Sequence, residues 1–220
     1  MRKSLSSATP VRTRDPERTK GQILEAALSE FASNGFDGAK VHQIAQRAGC
    51  NARLIYHYFE SKERLYTAAL SRIYSEIRAR EDELHLDTLP PEHAIKRLTE
   101  TTFDFFESNT AFLAITRSEN LLGGRFIAQV PEIQKMSTPF LDKISDVLTR
   151  GHAEGAFREG LDPLQLYVSI VALSAHHINA SHTLSATFGC DVSGKEWRQH
   201  RRRHVVEMIR SAVTAVESTL

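Results

Sequence analysis

Cysteine is nearly absent: Cys50 and Cys190 are the only two in 220 residues. They are too few and too far apart for a disulfide framework or a structural zinc site. Long apolar runs are missing as well, and no stretch approaches the ~20 consecutive apolar residues that a membrane-spanning helix needs. Met1 to Pro10 is polar and lacks the apolar centre of a secretory signal. These absences lead to the expectation of a reduced, cytoplasmic protein with no membrane partner. No alternating apolar–polar pattern persists anywhere, and neither an internal repeat nor a low-complexity tract is present. No nucleophile–base pair, phosphate-cradling glycine loop or carboxylate cluster occurs at a useful spacing. An enzyme built on a helical bundle therefore has no support in the sequence, and neither a cofactor nor a metal is expected.

What the chain does contain is ordinary globular material, 41% hydrophobic and 25% charged, enough to bury a real core at this length. The net charge of +1 conceals an asymmetry. Residues 1–60 carry nine Lys/Arg against six Asp/Glu, and residues 61–220 carry nineteen against twenty-one. Positive charge thus gathers at the N-terminal end, as phosphate binding requires.

Helical periodicity dominates. MRKSLSSAT reads as a disordered arm, and residues 1–12 form a basic extension. Asp15-Pro16 is a helix start, with a capping carboxylate followed by proline at the first helical position. Ile23, Leu24, Ala27, Leu28 and Phe31 follow as one apolar stripe, and Asn34-Gly35 should end the helix. Short helices over 41–48 and 52–58 flank Gly49-Cys50-Asn51, and Ser61 caps a connecting helix that runs to about His85. Beyond Pro90-Pro91 the pattern predicts longer helices over 91–108, 110–122, 131–153, 163–187 and 193–218, the last opened by a capping box at Ser193-Gly194-Lys195-Glu196. The expected fold is all-α. It comprises a three-helix head at 13–60, a connecting helix at 61–85 and a larger helical bundle at 86–220 that carries dimerisation helices.

Two helices this short are unstable alone in water and must be held by packing, for which Ile44, Ala45, Ala48 and Ile55 are suitably placed. Two short helices around a glycine turn are a helix-turn-helix unit, whose second helix enters the major groove. The same topology also occurs in helical proteins that never meet DNA. In favour of DNA, the second helix can offer Asn51, Arg53, Tyr56 and His57 outward. Arg53 suits a guanine edge, because a guanidinium pairs there bidentately. Tyr56, His57 and Lys62 suit phosphates, and Arg2, Lys3, Arg12 and Arg14 suit the backbone or the minor groove.

The segment ILEAALSEFASNGFDGAKVHQIAQRAGCNARLIYHYFESKERLYTAAL closely resembles the N-terminal domain of TetR-family transcriptional regulators. The features that carry the resemblance are the apolar first helix ending in F-x-x-x-G-F, the IAQRAG segment and the block LIYHYFESKERLY. The resemblance implies a homodimer that binds a palindromic double-stranded operator. It usually represses, and a small-molecule effector is held in the C-terminal domain. It implies DNA contacts at Lys40, His42, Gln43, Asn51, Ala52, Arg53, Tyr56, His57 and Lys62. Two departures stand out. Ala39 and Lys40 occupy positions where the family often has hydroxyl residues that cap the second helix and meet the DNA backbone. The family's frequent Y-Y-H-F stands here as Tyr56-His57-Tyr58-Phe59, which places an imidazole at a phosphate-contacting position. Cys50 is either a thiol sensor in the turn or a small hydrophobe filling buried space.

The body is less legible. Phe103, Phe106, Phe112 and Tyr167, with His176, His177 and Asn179, are candidate effector-pocket residues, although aromatic residues at helical spacing equally make core. In LSAHHINASHT, His176, His177 and His182 suggest a polar seam at the dimer interface, effector contacts or, against their helical spacing, metal ligands. The run Arg198, His200, Arg201, Arg202, Arg203 and His204 reads as a second nucleic-acid surface or a solvated helix face. In the family the last two long helices pair into the dimer interface, here 163–187 with 193–218. ASHTLSATFG after AHHINA also resembles the pyrimidine-utilisation regulator branch, which implies a nucleobase-like effector. A DNA-binding architectural protein without an effector is the remaining alternative.

Overall fold

A computed structural model describes residues 15–215, and the expected basic arm, with Arg2, Lys3, Arg12 and Arg14, lies outside the described residues, as does Val216. Asp15 caps α1 (Pro16–Gly38), its carboxylate accepting the amides of Glu17 and Arg18. The regular helix stops at Gly35, whose φ of 65° and ψ of −177° interrupt it before one further turn. α2 (Val41–Arg47) and α3 (Ala52–Phe59) follow. Ser61 caps α4 (Lys62–Asp82), a long helix that leaves the head and packs on the body.

The body contains α5 (Pro91–Ser108), α6 (Thr110–Leu121), a single 3-10 turn (Ile127–Gln129), α7 (Pro131–Ala153), α8 (Pro163–Asn179), α9 (Ser181–Phe188) and α10 (Lys195–Val213). Three expectations fail here, the first being the end of the last helix, which stops at Val213 rather than 218 because Thr214 turns extended (φ −63°, ψ 139°). The helix predicted over 163–187 breaks at Ala180 (φ −111°, ψ 14°). Asn179 and Ser181, whose side chains compete for backbone groups, flank the break. Nothing in α9 is buried, so no packing holds the two segments in line. The capping box at Ser193 also does not form. Ser193 donates its amide and hydroxyl to Asp191, and Gly194 becomes the cap of α10 without a side-chain bond.

Two apolar cores result. One joins Ile23, Ala27 and Phe31 of α1 to Ile44, Ile55, Phe59, Leu65, Tyr66 and Leu70, and continues through Phe105, Phe112, Leu113 and Phe126 into the body. The other fills the α5–α7–α8–α10 bundle with Leu98, Phe103, Ile144, Val147, Ile170, Val205 and Ile209. The head is therefore not a bead on a linker, because α6 lies directly against α1. At Gly151 the ring of Phe157 comes so close that an added Cβ would lie 2.0 Å from Cδ2.

Candidate nucleic-acid interface and effector cavity

The turn between α2 and α3 closes through the amides of Gly49 and Cys50, which donate to the carbonyls of Gln46 and Ala45. Gly49 takes φ 63°, and buried Ala45 lets the helices meet closely. Cys50 is half-buried against the head core, where a small apolar side chain fits. Asn51 caps α3, its side-chain oxygen accepting the Leu54 amide at 2.9 Å. Ile55 and Phe59 turn inward, while Arg53, Tyr56 and His57, at spacings of three and four, share the exposed face.

The other expected contacts are distributed around this face. Ala52 is half-buried at the first turn of α3. Lys40 is exposed and caps α2 with no side-chain bond, while Ala39 is buried beneath it. His42, exposed, and Gln43, half-buried, contact each other at 3.3 Å on the first turn of α2. The Lys62 ammonium lies 3.4 Å from the Asp37 carbonyl and 4.8 Å from the centre of the Phe36 ring. The missing hydroxyl cap is offset by Glu30, which the sequence did not reveal. Buried in α1, it accepts the Lys40 amide at 3.3 Å and Asn34 Nδ2 at 3.1 Å, and it faces Arg47 Nε at 3.5 Å. A carboxylate ten residues upstream thus pins both ends of α2, a relation no local motif encodes.

In the body, α4, α5, α6, α7, α8 and α10 surround a cavity of about 800 Å³. Of the expected pocket residues, Phe106, Phe112, Tyr167, His176 and Asn179 line it. Phe103 and His177 do not. His177 is buried between Phe103, stacked at 5.2 Å, and Trp197, and its Nε2 lies 2.8 Å from Glu107. Tyr74, Ile77 and Arg78 of α4 complete one wall. Arg78 Nε lies 2.9 Å from Glu81, Arg78 Nη2 donates to the Tyr167 hydroxyl at 2.9 Å, and that hydroxyl donates to Glu81 at 2.9 Å. Burial pushes the Glu81 carboxyl up to about 7 against the pull of Arg78. Only part of this triad had a signal in the sequence: Arg78 and Glu81 stand three apart on one helix, whereas Tyr167 comes from α8.

Residues 23–69 match the family described as "Bacterial regulatory proteins, tetR family", and residues 91–209 match "Tetracyclin repressor-like, C-terminal domain". The chain is 31% identical over 188 residues to the HTH-type transcriptional repressor NicS of Pseudomonas putida, covering 86% of this chain and 89% of the relative. The chain belongs to the TetR family. The ketosteroid transcriptional regulator KstR2 of Mycobacterium tuberculosis has the same fold, with a TM-score of 0.69 at 24% identity over 90% of this chain and 95% of that one. FadR of Bacillus subtilis, solved in complex with stearoyl-CoA, superposes with a TM-score of 0.64 at 21% identity over 87% of this chain and 98% of that one. This TetR-family chain is accordingly a DNA-binding transcriptional regulator.

The TetR-family body also corrects two readings. The histidines of LSAHHINASHT are not one cluster: His177 is tied inside the chain, His176 is exposed on the cavity wall, and His182 is exposed on α9. Nor does the arginine run of α10 form one solvated face. Arg198 Nη1 binds Glu107 at 2.6 Å, and Arg202 binds Asp104 at 2.7 and 2.8 Å and Glu100 at 3.0 Å, joining α10 to α5. Among the described residues, no group of three His, Cys, Asp or Glu could hold a metal ion, and no helix is long and apolar enough to cross a membrane.

Proposed function

We propose that the protein is a homodimeric repressor, released from a palindromic operator when a small molecule fills the cavity of each body. The observation that carries this reading is the continuity between cavity and head. Phe112 and Leu113 of α6 line the cavity and also belong to the apolar core that extends into α1. Tyr74, Ile77 and Arg78 line it from α4, the helix that emerges from the head. A ligand that favours one packing of α4 and α6 thereby favours one position of the head. The recognition helices of a dimer must sit about one DNA turn apart. A coupling of about 1–3 kcal/mol would change operator affinity roughly 5- to 150-fold.

On each head, Arg53 reads a base edge with Ala52 beside it at bases or nearby phosphates, Lys40, Tyr56, His57 and Lys62 hold phosphates, and His42, Gln43 and Asn51 complete the DNA contacts. For dimerisation, α8 offers exposed Leu164 and Val168 four residues apart, and α10 offers exposed Met208. Such apolar side chains suit the seam of an isologous two-fold interface. Gel-shift titration on palindromes from the gene's upstream region tests the reading. Salt-dependent binding to one such fragment is expected, and absence of binding to all of them would overturn it.

A further inference from the structure

Three arginines of α10 approach the body, and two of them are matched with acids. Arg198 has Glu107, and Arg202 has Asp104 and Glu100. Arg201 is different. It lines the cavity, half-buried, and donates Nη2 to the Leu173 carbonyl at 3.0 Å. Its Nε, like that of Arg198, is buried with no hydrogen-bond partner, but Arg201 alone of the three forms no ion pair among the described residues. A guanidinium stays charged at any physiological pH, so partial removal from water without a counter-charge is unfavourable.

The surroundings supply no compensation. No Asp or Glu side chain lines the cavity, and the other arginine on its wall, Arg78, is already engaged by Glu81 and the Tyr167 hydroxyl. Much of the remaining wall is apolar or aromatic, including Tyr74, Phe106, Phe112, Leu141 and Val171. The space lies within the roughly 300–1,000 Å³ that small organic ligands occupy.

Building on the effector-release reading, we propose that the effector is an organic monoanion, a carboxylate or its like on an apolar or aromatic body, with Arg201 as its counter-charge. The acid group completes the guanidinium's hydrogen bonding, a planar pairing in which arginine excels. The body of the ligand buries against the aromatic wall, so both halves of the molecule are needed for tight binding.

The test uses N-phenyl-1-naphthylamine, a neutral fluorophore, as reporter of cavity occupancy on the full chain. It is displaced by 2-naphthoate or by 2-naphthamide, which match in shape and differ in charge. Naphthoate should compete at least roughly ten-fold better, a difference of about 1.4 kcal/mol. Arg201→Gln should erase that preference while leaving reporter affinity unchanged, and Arg201→Lys should restore part of it. Equal competition by the two naphthalenes on the native chain would overturn the proposal. So would an Arg201→Gln variant that loses the reporter as well, since Arg201 would then only support the cavity wall. Failure is distinguishable from failure of the release reading. Naphthoate that occupies the cavity without dissociating operator DNA in a gel shift would overturn effector-controlled release and leave the anion preference standing. A native chain that does not bind the reporter would remove the cavity as a ligand site.

Discussion

Glu81 on α4 and His177 on α8 carry opposite pH signatures. The folded chain holds the Glu81 proton up to about pH 7, whereas an exposed carboxyl releases it near 4.5. Between those values the folded state binds more protons, so this contribution is full below 4.5 and is lost as pH rises through 7. Glu81→Gln should remove that decline from stability measured by chemical denaturation across pH 4.5 to 8. For His177, burial lowers the pKa below the usual 6.5, with Arg201 and Arg198 acting in the same direction and Glu107 against. Its contribution is present above 6.5 and is lost as pH falls through the lowered value. His177→Gln should therefore flatten the acid limb of the same profile. On the head, Arg53→Ala is expected to cost about 1–3 kcal/mol and relax base preference at one position. Lys62→Ala should weaken all sequences alike and reduce the salt slope by about one. Competition gel shifts at two salt concentrations separate the two.

At the scale of elements, α6 joins head to body. Its Glu119 carboxylate accepts the amides of Phe126 and Ile127 at 2.6 and 2.9 Å, folding the following segment back so that Phe126 packs on Phe36 and Tyr66. On the head side the contact depends on Gly35. A Cβ there would lie 3.1 Å from Ser118 Oγ, at a φ/ψ combination occupied almost only by glycine. Gly35→Ala should cost about 1–3 kcal/mol, read from thermal or urea unfolding. It should also alter operator affinity, because it changes how α1 sits on α6. The first helix end was legible in Asn34-Gly35 because glycine tolerates positive φ locally. The break at Ala180 was not, because Asn179, Ala180 and Ser181 carry no strong stop signal and only the lack of packing on α9 allows the turn.

For the whole molecule, function on a palindrome needs two heads, and hence an interface. Val168 is 52% exposed in the single chain, and Val168→Arg should yield monomers in sedimentation equilibrium. Those monomers should lose most operator affinity, since each would grip one half-site only.

The helix-turn-helix head, its caps at Asp15 and Ser61, and the exposed Arg53–Tyr56–His57 face were determined by the sequence alone, because caps, glycine turns and helical spacing act within a few residues. Tertiary structure alone decided the rest. Glu30 reaches the Lys40 amide across the α1–α2 turn, Tyr167 meets Arg78 and Glu81 from another helix, and Arg198 and Arg202 find acids on α5. The same packing carried Phe103 and His177 away from the cavity and left Arg201 on its wall. Helical periodicity marks which face of a helix turns inward. Which partner waits there depends on contacts between segments far apart in the chain, and these arise only when the bundle closes.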